Sequence, residues 1–284
     1  MQQRKSAHRT NGNSSTITQR RRTKRLGIRV TPRKLKLAQK IIEFGSENVS
    51  VEKEFQIDLY GNRILEIQEK TNPRLHPTAF VFACIFDQWI KWQVAWSGPI
   101  DLEKRLGHLD PSRIASMTQM ELEAFLRQPP KVLHRIPGKI AKWLIGTCKV
   151  ISEKYRGKPE NIWNDCPTTI ELQERFSELP GFGKKKASMA TNILVRDYQI
   201  PITGTKAGID ISYDVHVRRV FMRLQLVKHD TEDEIIETAR SLNPEYPGLL
   251  DLPTWRVGNF WCHAALPNCS ACFMLSLCPS AKRV

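Results

Sequence analysis

Leu179-Pro180-Gly181-Phe182-Gly183-Lys184-Lys185-Lys186-Ala187 is the stretch that decides how this 284-residue chain is read. It follows a capping box at Thr168 to Glu171, which opens an apolar-periodic helix over 168–178, and it runs into a second helix beginning near Lys184. Two glycines flanking one apolar residue permit a tight hairpin between helices. Backbone N–H groups in such a turn can approach an anion closely, at the positive end of the following helix. A nucleic-acid phosphate suits that geometry, although Gly-x-Gly between helices is also a common way to make a plain tight turn. The lysines sharpen the choice, because a Lys-rich first helical turn opposes the helix dipole and needs a reason to be there.

Working outward, helical start and stop signals recur. Thr31-Pro32 and Gly45 bracket a helix carrying Leu35, Leu37, Ala38, Ile41, Ile42 and Phe44. Pro77 and Gly98-Pro99 bracket one whose Trp89, Trp92 and Trp96 form a face read as core. Further capping boxes stand at Thr118 to Glu121 and Thr231 to Glu234, and residues 139–155 place Ile140, Trp143, Leu144, Thr147 and Ile151 on one face. A short hairpin at Tyr60-Gly61-Asn62 is the only strand signal. The fold class is therefore all-α.

Composition agrees with a folded chain, at 40% hydrophobic and 26% charged residues. The apolar run Phe80 to Phe86 stops at Asp87, far short of the ~20 residues a membrane span needs, and no secretory h-region follows the basic N-terminus. No membrane association is expected. The net charge of +15 is unevenly spread: residues 1–40 hold 13 Lys or Arg and no acid, leaving 31 bases against 29 acids in the rest. Residues 1–30, with Arg20-Arg21-Arg22-Thr23-Lys24-Arg25 at their centre, read as a disordered basic tail. Such a tail can be a solvated extension, a nucleic-acid arm, a nuclear signal or an organellar presequence.

Cys262, Cys269, Cys272 and Cys278 lie within seventeen residues in a C-x6-C-x2-C-x5-C pattern, whereas Cys84, Cys148 and Cys166 are dispersed and read as reduced core thiols. Thiols so dense imply a metal centre. Zinc sites usually join two short C-x2-4-C knuckles; only one short pair exists here, so a cluster wrapped by a single loop fits better.

Together, the hairpin LPGFGKKKA, the segment Asp214-Val215-His216-Val217-Arg218-Arg219-Val220 and the four-cysteine loop resemble, in order, the three signatures of the helix-hairpin-helix DNA glycosylases of the endonuclease III type. The resemblance extends from about Pro77 to Pro279. It implies a six-helix barrel domain over 76–197, with the helix-hairpin-helix at 168–197, facing a helical iron–sulfur domain built from both chain ends. That second domain would comprise 198–284, with 31–75 packed against it. It also implies a [4Fe–4S] cluster on Cys262, Cys269, Cys272 and Cys278. The implied partner is double-stranded DNA containing a damaged or mismatched base, bound by a monomer. The implied location is intracellular: cytoplasm or nucleoid in a prokaryote, nucleus or organelle in a eukaryote.

Carried over by motif position, Lys185 matches the nucleophilic lysine and Asp214 the catalytic aspartate of that family. Gly181, Gly183, Lys184 and Lys186 would grip DNA, and Gln88 would fill the gap left by the flipped base. Read from the residues alone, Lys185 can equally be a phosphate ligand and Asp214 a helix N-cap. The adenine-excising branch carries a glutamate where this chain has Ala83, and it lacks the hairpin lysine. Three departures stand out. The segment before Asp214 is long, with Asp210 as a competing carboxylate; the cysteine loop between Cys262 and Cys278 contains no Lys or Arg; and residues 51–75 have no counterpart. The expected function is a DNA N-glycosylase of base excision repair acting on an oxidised pyrimidine, with AP-lyase activity. The alternatives are a monofunctional mismatch or modified-base glycosylase and a non-catalytic DNA-binding protein.

Overall fold

Helices form wherever a capping residue precedes an apolar period. The computed structural model describes residues 28–47 and 62–281. The basic tail up to residue 27, the Tyr60-Gly61 part of the expected hairpin and most of 51–75 that precedes residue 62 lie outside the described residues. Among the described residues there are twelve α-helices and no strand, only an isolated parallel bridge between Thr168 and Thr203. Asn62 opens a helix, which corrects the hairpin expected there. The helices are α1 (Pro32–Glu47), α2 (Asn62–Lys70), α3 (Pro77–Phe86), α4 (Trp92–Leu106), α5 (Pro111–Ala115), α6 (Gln119–Arg127), α7 (Pro137–Lys154), α8 (Thr169–Ser177), α9 (Lys184–Arg196), α10 (Val215–Arg223), α11 (Glu232–Leu242) and α12 (Asp251–Phe260). None is long and apolar enough to cross a membrane.

Among the described residues there are two hydrophobic cores. The first is built around α3, whose residues 79–86 are all buried, as a helix apolar on every side must be. Leu102, Ile114, Leu122, Leu144, Phe176 and Leu194 from α4 to α9 pack into the same core. The second joins the two ends of the described chain: Leu37 and Ile41 of α1 meet Val217 and Phe221 of α10, Ile235 of α11, Val257 of α12 and Met274 of the cysteine loop.

Several local expectations change on contact with packing. Thr118 and Thr168 form full reciprocal capping boxes. Thr231 caps Glu234 N–H, but the Glu234 carboxylate turns to the N–H groups of Lys228 and His229. The tryptophan face is split: α3 ends at Phe86 and α4 begins at Trp92, running through Gly98 and Pro99 rather than stopping at them. Gly98 is a packing device, since a Cβ there would stand 2.4 Å from the Phe86 ring. Gly45 likewise sits inside α1, against Pro253 of α12. Trp89 is not core, being 66% exposed, and Cys166 is exposed rather than buried with Cys84 and Cys148.

Candidate functional site

The turn joining α8 to α9 is held from below. Leu179 and Phe182 are buried, and Phe182 stacks on Phe176 with ring centroids 5.4 Å apart. The Thr147 hydroxyl donates to Pro180 O at 3.2 Å. Gly181 adopts φ +87°, and a Cβ there would come within 3.0 Å of the Trp143 indole, so both conformation and space demand glycine. Gly183 is different. Its backbone is extended (φ −106°, ψ 178°) and a Cβ would meet nothing within 4 Å. Neither the turn nor the packing requires it to be bare. It is the N-cap of α9, which has no side-chain cap and no acid in its first turn, so the N–H groups at this end carry their full partial charge outward.

The lysines of that first turn diverge. Lys184 is exposed. Lys185 reaches across to α10, where its Nζ lies 2.9 Å from Asp214 Oδ2. Asp214 is the N-cap of α10 and its Oδ1 accepts from the His216 N–H at 2.9 Å. Burial tends to raise the Asp214 pKa, but the Lys185 charge and the His216 N–H outweigh it and hold the carboxyl below the usual carboxylate range. Lys186 turns inward, away from the open edge of the hairpin. Its Nζ donates to Ile85 O, near the end of α3, at 3.0 Å, and burial lowers its pKa to about 8. Its geometry supports a post between α9 and α3 rather than a phosphate contact. Close by, burial raises the Asp87 carboxyl, offset by the Trp96 indole N–H at 3.4 Å and by Lys186.

Asp210 is occupied elsewhere: Arg240 of α11 grips both its oxygens at 2.7 and 2.6 Å. The segment between Asp210 and Asp214 is pinned by Asp251, the first residue of α12, whose carboxylate accepts from Ser212 N–H at 3.1 Å and Ser212 Oγ–H at 3.0 Å. Sequence reasoning missed Asp251 and Arg240. Neither lies in a motif, and their contacts span 39 and 30 residues. Gln88 is half-buried, with its amide folded back to donate to Ile85 O at 3.3 Å.

Cys262, Cys269, Cys272 and Cys278 are unpaired and half-buried, and they line one cavity with Val220 and Leu224 at the back of α10. Among the described residues no three His, Cys, Asp or Glu side chains stand together as they would around a single metal ion; the sulfurs are distributed round the cavity instead. Burial pushes the Cys272 thiol up to about 11, with Cys262, Cys278 and Cys269 adding to the effect. Four thiolates facing one cavity would need positive charge among them, which an iron–sulfur cluster supplies, so the donor set fits such a group. Two arginines serve this loop: Arg219, which belongs to the Asp214 segment but carried no assigned role there, and Arg223, which the sequence reading passed over. Arg219 Nε donates to Cys262 O at 2.6 Å, and Arg223 Nη1 donates to Cys262 Sγ at 3.2 Å and to His263 O at 2.7 Å. Their spacing of one helical turn on α10 was the available signal.

No protein-family model matches the chain. Over 150 residues it is 31% identical to endonuclease III-like protein 1 of Gallus gallus, the match covering 50% of this chain and 44% of that protein. Over 137 residues it is 26% identical to endonuclease III of Buchnera aphidicola subsp. Baizongia pistaciae, covering 48% of this chain and 54% of the other. The chain thus spans about half the length of the curated relatives it matches. A trapped covalent intermediate of endonuclease III with DNA superposes with a TM-score of 0.54 at 19% identity, covering 77% of this chain and 95% of that one. A thermostable thymine-DNA glycosylase superposes with a TM-score of 0.57 at 14% identity, covering 88% and 96%. The fold is that of the solved endonuclease III and thymine-DNA glycosylase structures. In sequence the chain is similar to endonuclease III and endonuclease III-like proteins over about half its length.

Proposed function

We propose that this chain is a DNA glycosylase of base excision repair that flips a damaged base, an oxidised pyrimidine, out of duplex DNA, excises it and then cleaves the strand as an AP lyase. The observation that carries this reading is the 2.9 Å contact between Lys185 Nζ and Asp214 Oδ2, made at the mouth of the hairpin. The bare Gly183 and the uncapped N-terminus of α9 supply donors for one phosphate of the bound strand, which brings the adjoining sugar to the pair.

As the glycosidic bond breaks, its electron pair leaves with the base and positive charge gathers on the sugar, where the Asp214 carboxylate stabilises it. Asp214 is suited to that task because Lys185 and the His216 N–H keep it ionised. The Lys185 amine, after passing a proton to the departing base, bonds to C1′; the C1′–O4′ bond then breaks with its electron pair going to O4′, which takes a proton from the nitrogen, and the opened sugar is held as a protonated Schiff base. Loss of a C2′ proton then expels the 3′ phosphate by β-elimination. We assign a [4Fe–4S] cluster to Cys262, Cys269, Cys272 and Cys278. When bound it supplies a structural clamp for the loop after α12, and Arg219 and Arg223 tie that clamp to the helix that begins at Asp214.

Borohydride trapping of the full chain on abasic and oxidised-pyrimidine duplexes tests the proposal. The expected result is a covalent protein–DNA adduct on both. Base release without an adduct would make the protein a monofunctional glycosylase, and neither product would leave a DNA-binding protein without chemistry.

A further inference from the structure

The loop between α3 and α4 holds a residue that the excision chemistry does not use. Trp89 is 66% exposed and its backbone sits at φ +54°, a left-handed conformation rare for an aromatic residue and sustained only where the surroundings impose it. They do impose it here. The buried His134 accepts the Ile136 N–H on Nδ1 at 3.2 Å, which leaves Nε2–H to donate to Gln88 O at 3.1 Å. The same ring packs edge-on against Phe86, and Arg135 Nη1 donates to Trp89 O at 3.4 Å. With the Gln88 amide folded onto Ile85, the loop presents an indole and not an amide.

The indole is continuous with the hairpin surface. Lys139 Nζ lies 5.8 Å from the Trp89 ring and 5.4 Å from the Trp143 ring, and Trp143 is the floor beneath Gly181. Arg135 and Lys139 are exposed beside it, at the start of a helix with no acid in its first turn. On the other side, Ile85 O receives Lys186, the neighbour of Lys185. An exposed flat apolar ring, flanked by cations and held by a strained but well-pinned loop, calls for a partner with aromatic faces and negative flanks.

We propose that Trp89 enters the base stack of duplex DNA and occupies the gap from which the target base is flipped, with Arg135 and Lys139 on the flanking phosphates. The proposal rests on reading the chain as a DNA glycosylase, and it displaces Gln88 from the gap-filling role. Full-length wild type, Trp89→Ala, Trp89→Phe and Trp89→Gly are compared on an intact duplex and on one with a tetrahydrofuran abasic analogue opposite 2-aminopurine. We expect wild type to prefer the abasic duplex and to change the 2-aminopurine fluorescence. Trp89→Ala should lose roughly ten- to hundredfold of abasic affinity together with the fluorescence change, and Trp89→Phe should keep most of both. Affinity for the intact duplex should stay within about twofold in every variant, because phosphates dominate it. Trp89→Gly, free of the left-handed penalty, should melt no lower than wild type, separating loss of stacking from loss of fold. Full abasic preference in Trp89→Ala, or equal loss on both duplexes, would overturn the role of Trp89 and leave the glycosylase reading standing. Absence of abasic preference in wild type would overturn the glycosylase reading itself.

Discussion

Asp214 serves two masters, accepting the His216 N–H as a helix cap and the Lys185 ammonium as a charge partner. Asparagine separates the two roles, because it keeps the capping oxygen and removes the charge. Asp214→Asn should fold and melt within a few degrees of wild type, with single-turnover base excision reduced on the order of 10²-fold or more. Asp210→Asn, which only loosens Arg240, should excise normally; the opposite pattern would show that Asp210 is the catalytic carboxylate. Lys186 yields a pH prediction. Its folded pKa of about 8 lies below the ordinary lysine value of 10.5, so between those pH values the unfolded chain binds more protons and the stability contributed by Lys186 rises with pH. The unfolding free energy of wild type minus that of Lys186→Met should therefore climb by on the order of 1–3 kcal/mol from pH 8 to about pH 10.5. A flat difference by denaturant titration would mean Lys186 is not buried as described.

The helix-hairpin-helix distinguishes two glycines that look alike in sequence. Gly181→Ala forces a side chain onto φ +87° and against Trp143, and should cost about 1–3 kcal/mol of stability. Gly183→Ala meets no atom of the protein, so it should melt like wild type yet bind duplex DNA several-fold more weakly; unchanged binding would show that no phosphate comes there. This level of structure was readable in advance because it is local: the turn is announced by Gly-x-Gly, and α6 and α8 by Thr and Glu three residues apart. What could not be read was decided by packing. Gly98-Pro99 looks like a stop signal, and only the approach of Phe86 to Gly98 shows why α4 runs through it. Helical periodicity also gathers Trp89, Trp92 and Trp96 onto one face, because a period assumes an unbroken helix and cannot register one residue at φ +54°. Asp251, which pins Ser212 two residues before Asp214, belongs to a different helix and leaves no trace in the hairpin or the aspartate motif. α10 shows how the elements join, with the Lys185 partner at its N-cap and Arg223 on the Cys262 sulfur at its last residue.

At the scale of the molecule, the Lys185–Asp214 ion pair bridges two separately packed cores, Lys185 coming from α9 and Asp214 from the start of α10. Most of the excess charge lies in the 13 Lys or Arg before residue 41, four of them on α1. Deleting residues 1–30 removes nine of them, and each lost phosphate contact should lower the log–log salt slope of duplex binding by ~0.9. The truncated protein should bind more weakly and with a shallower slope, while its single-turnover excision rate at saturation is retained; an unchanged slope would mean the tail does not touch DNA. The central claim is that Lys185 forms a covalent bond to the sugar opposite the Asp214 carboxylate. Its most direct test is peptide mapping by mass spectrometry of the borohydride-reduced adduct between the full chain and an abasic duplex. The account predicts the sugar remnant on Lys185, and no adduct from Lys185→Gln; a remnant on Lys184, Lys186 or the N-terminal amine, or undiminished trapping by Lys185→Gln, would contradict it.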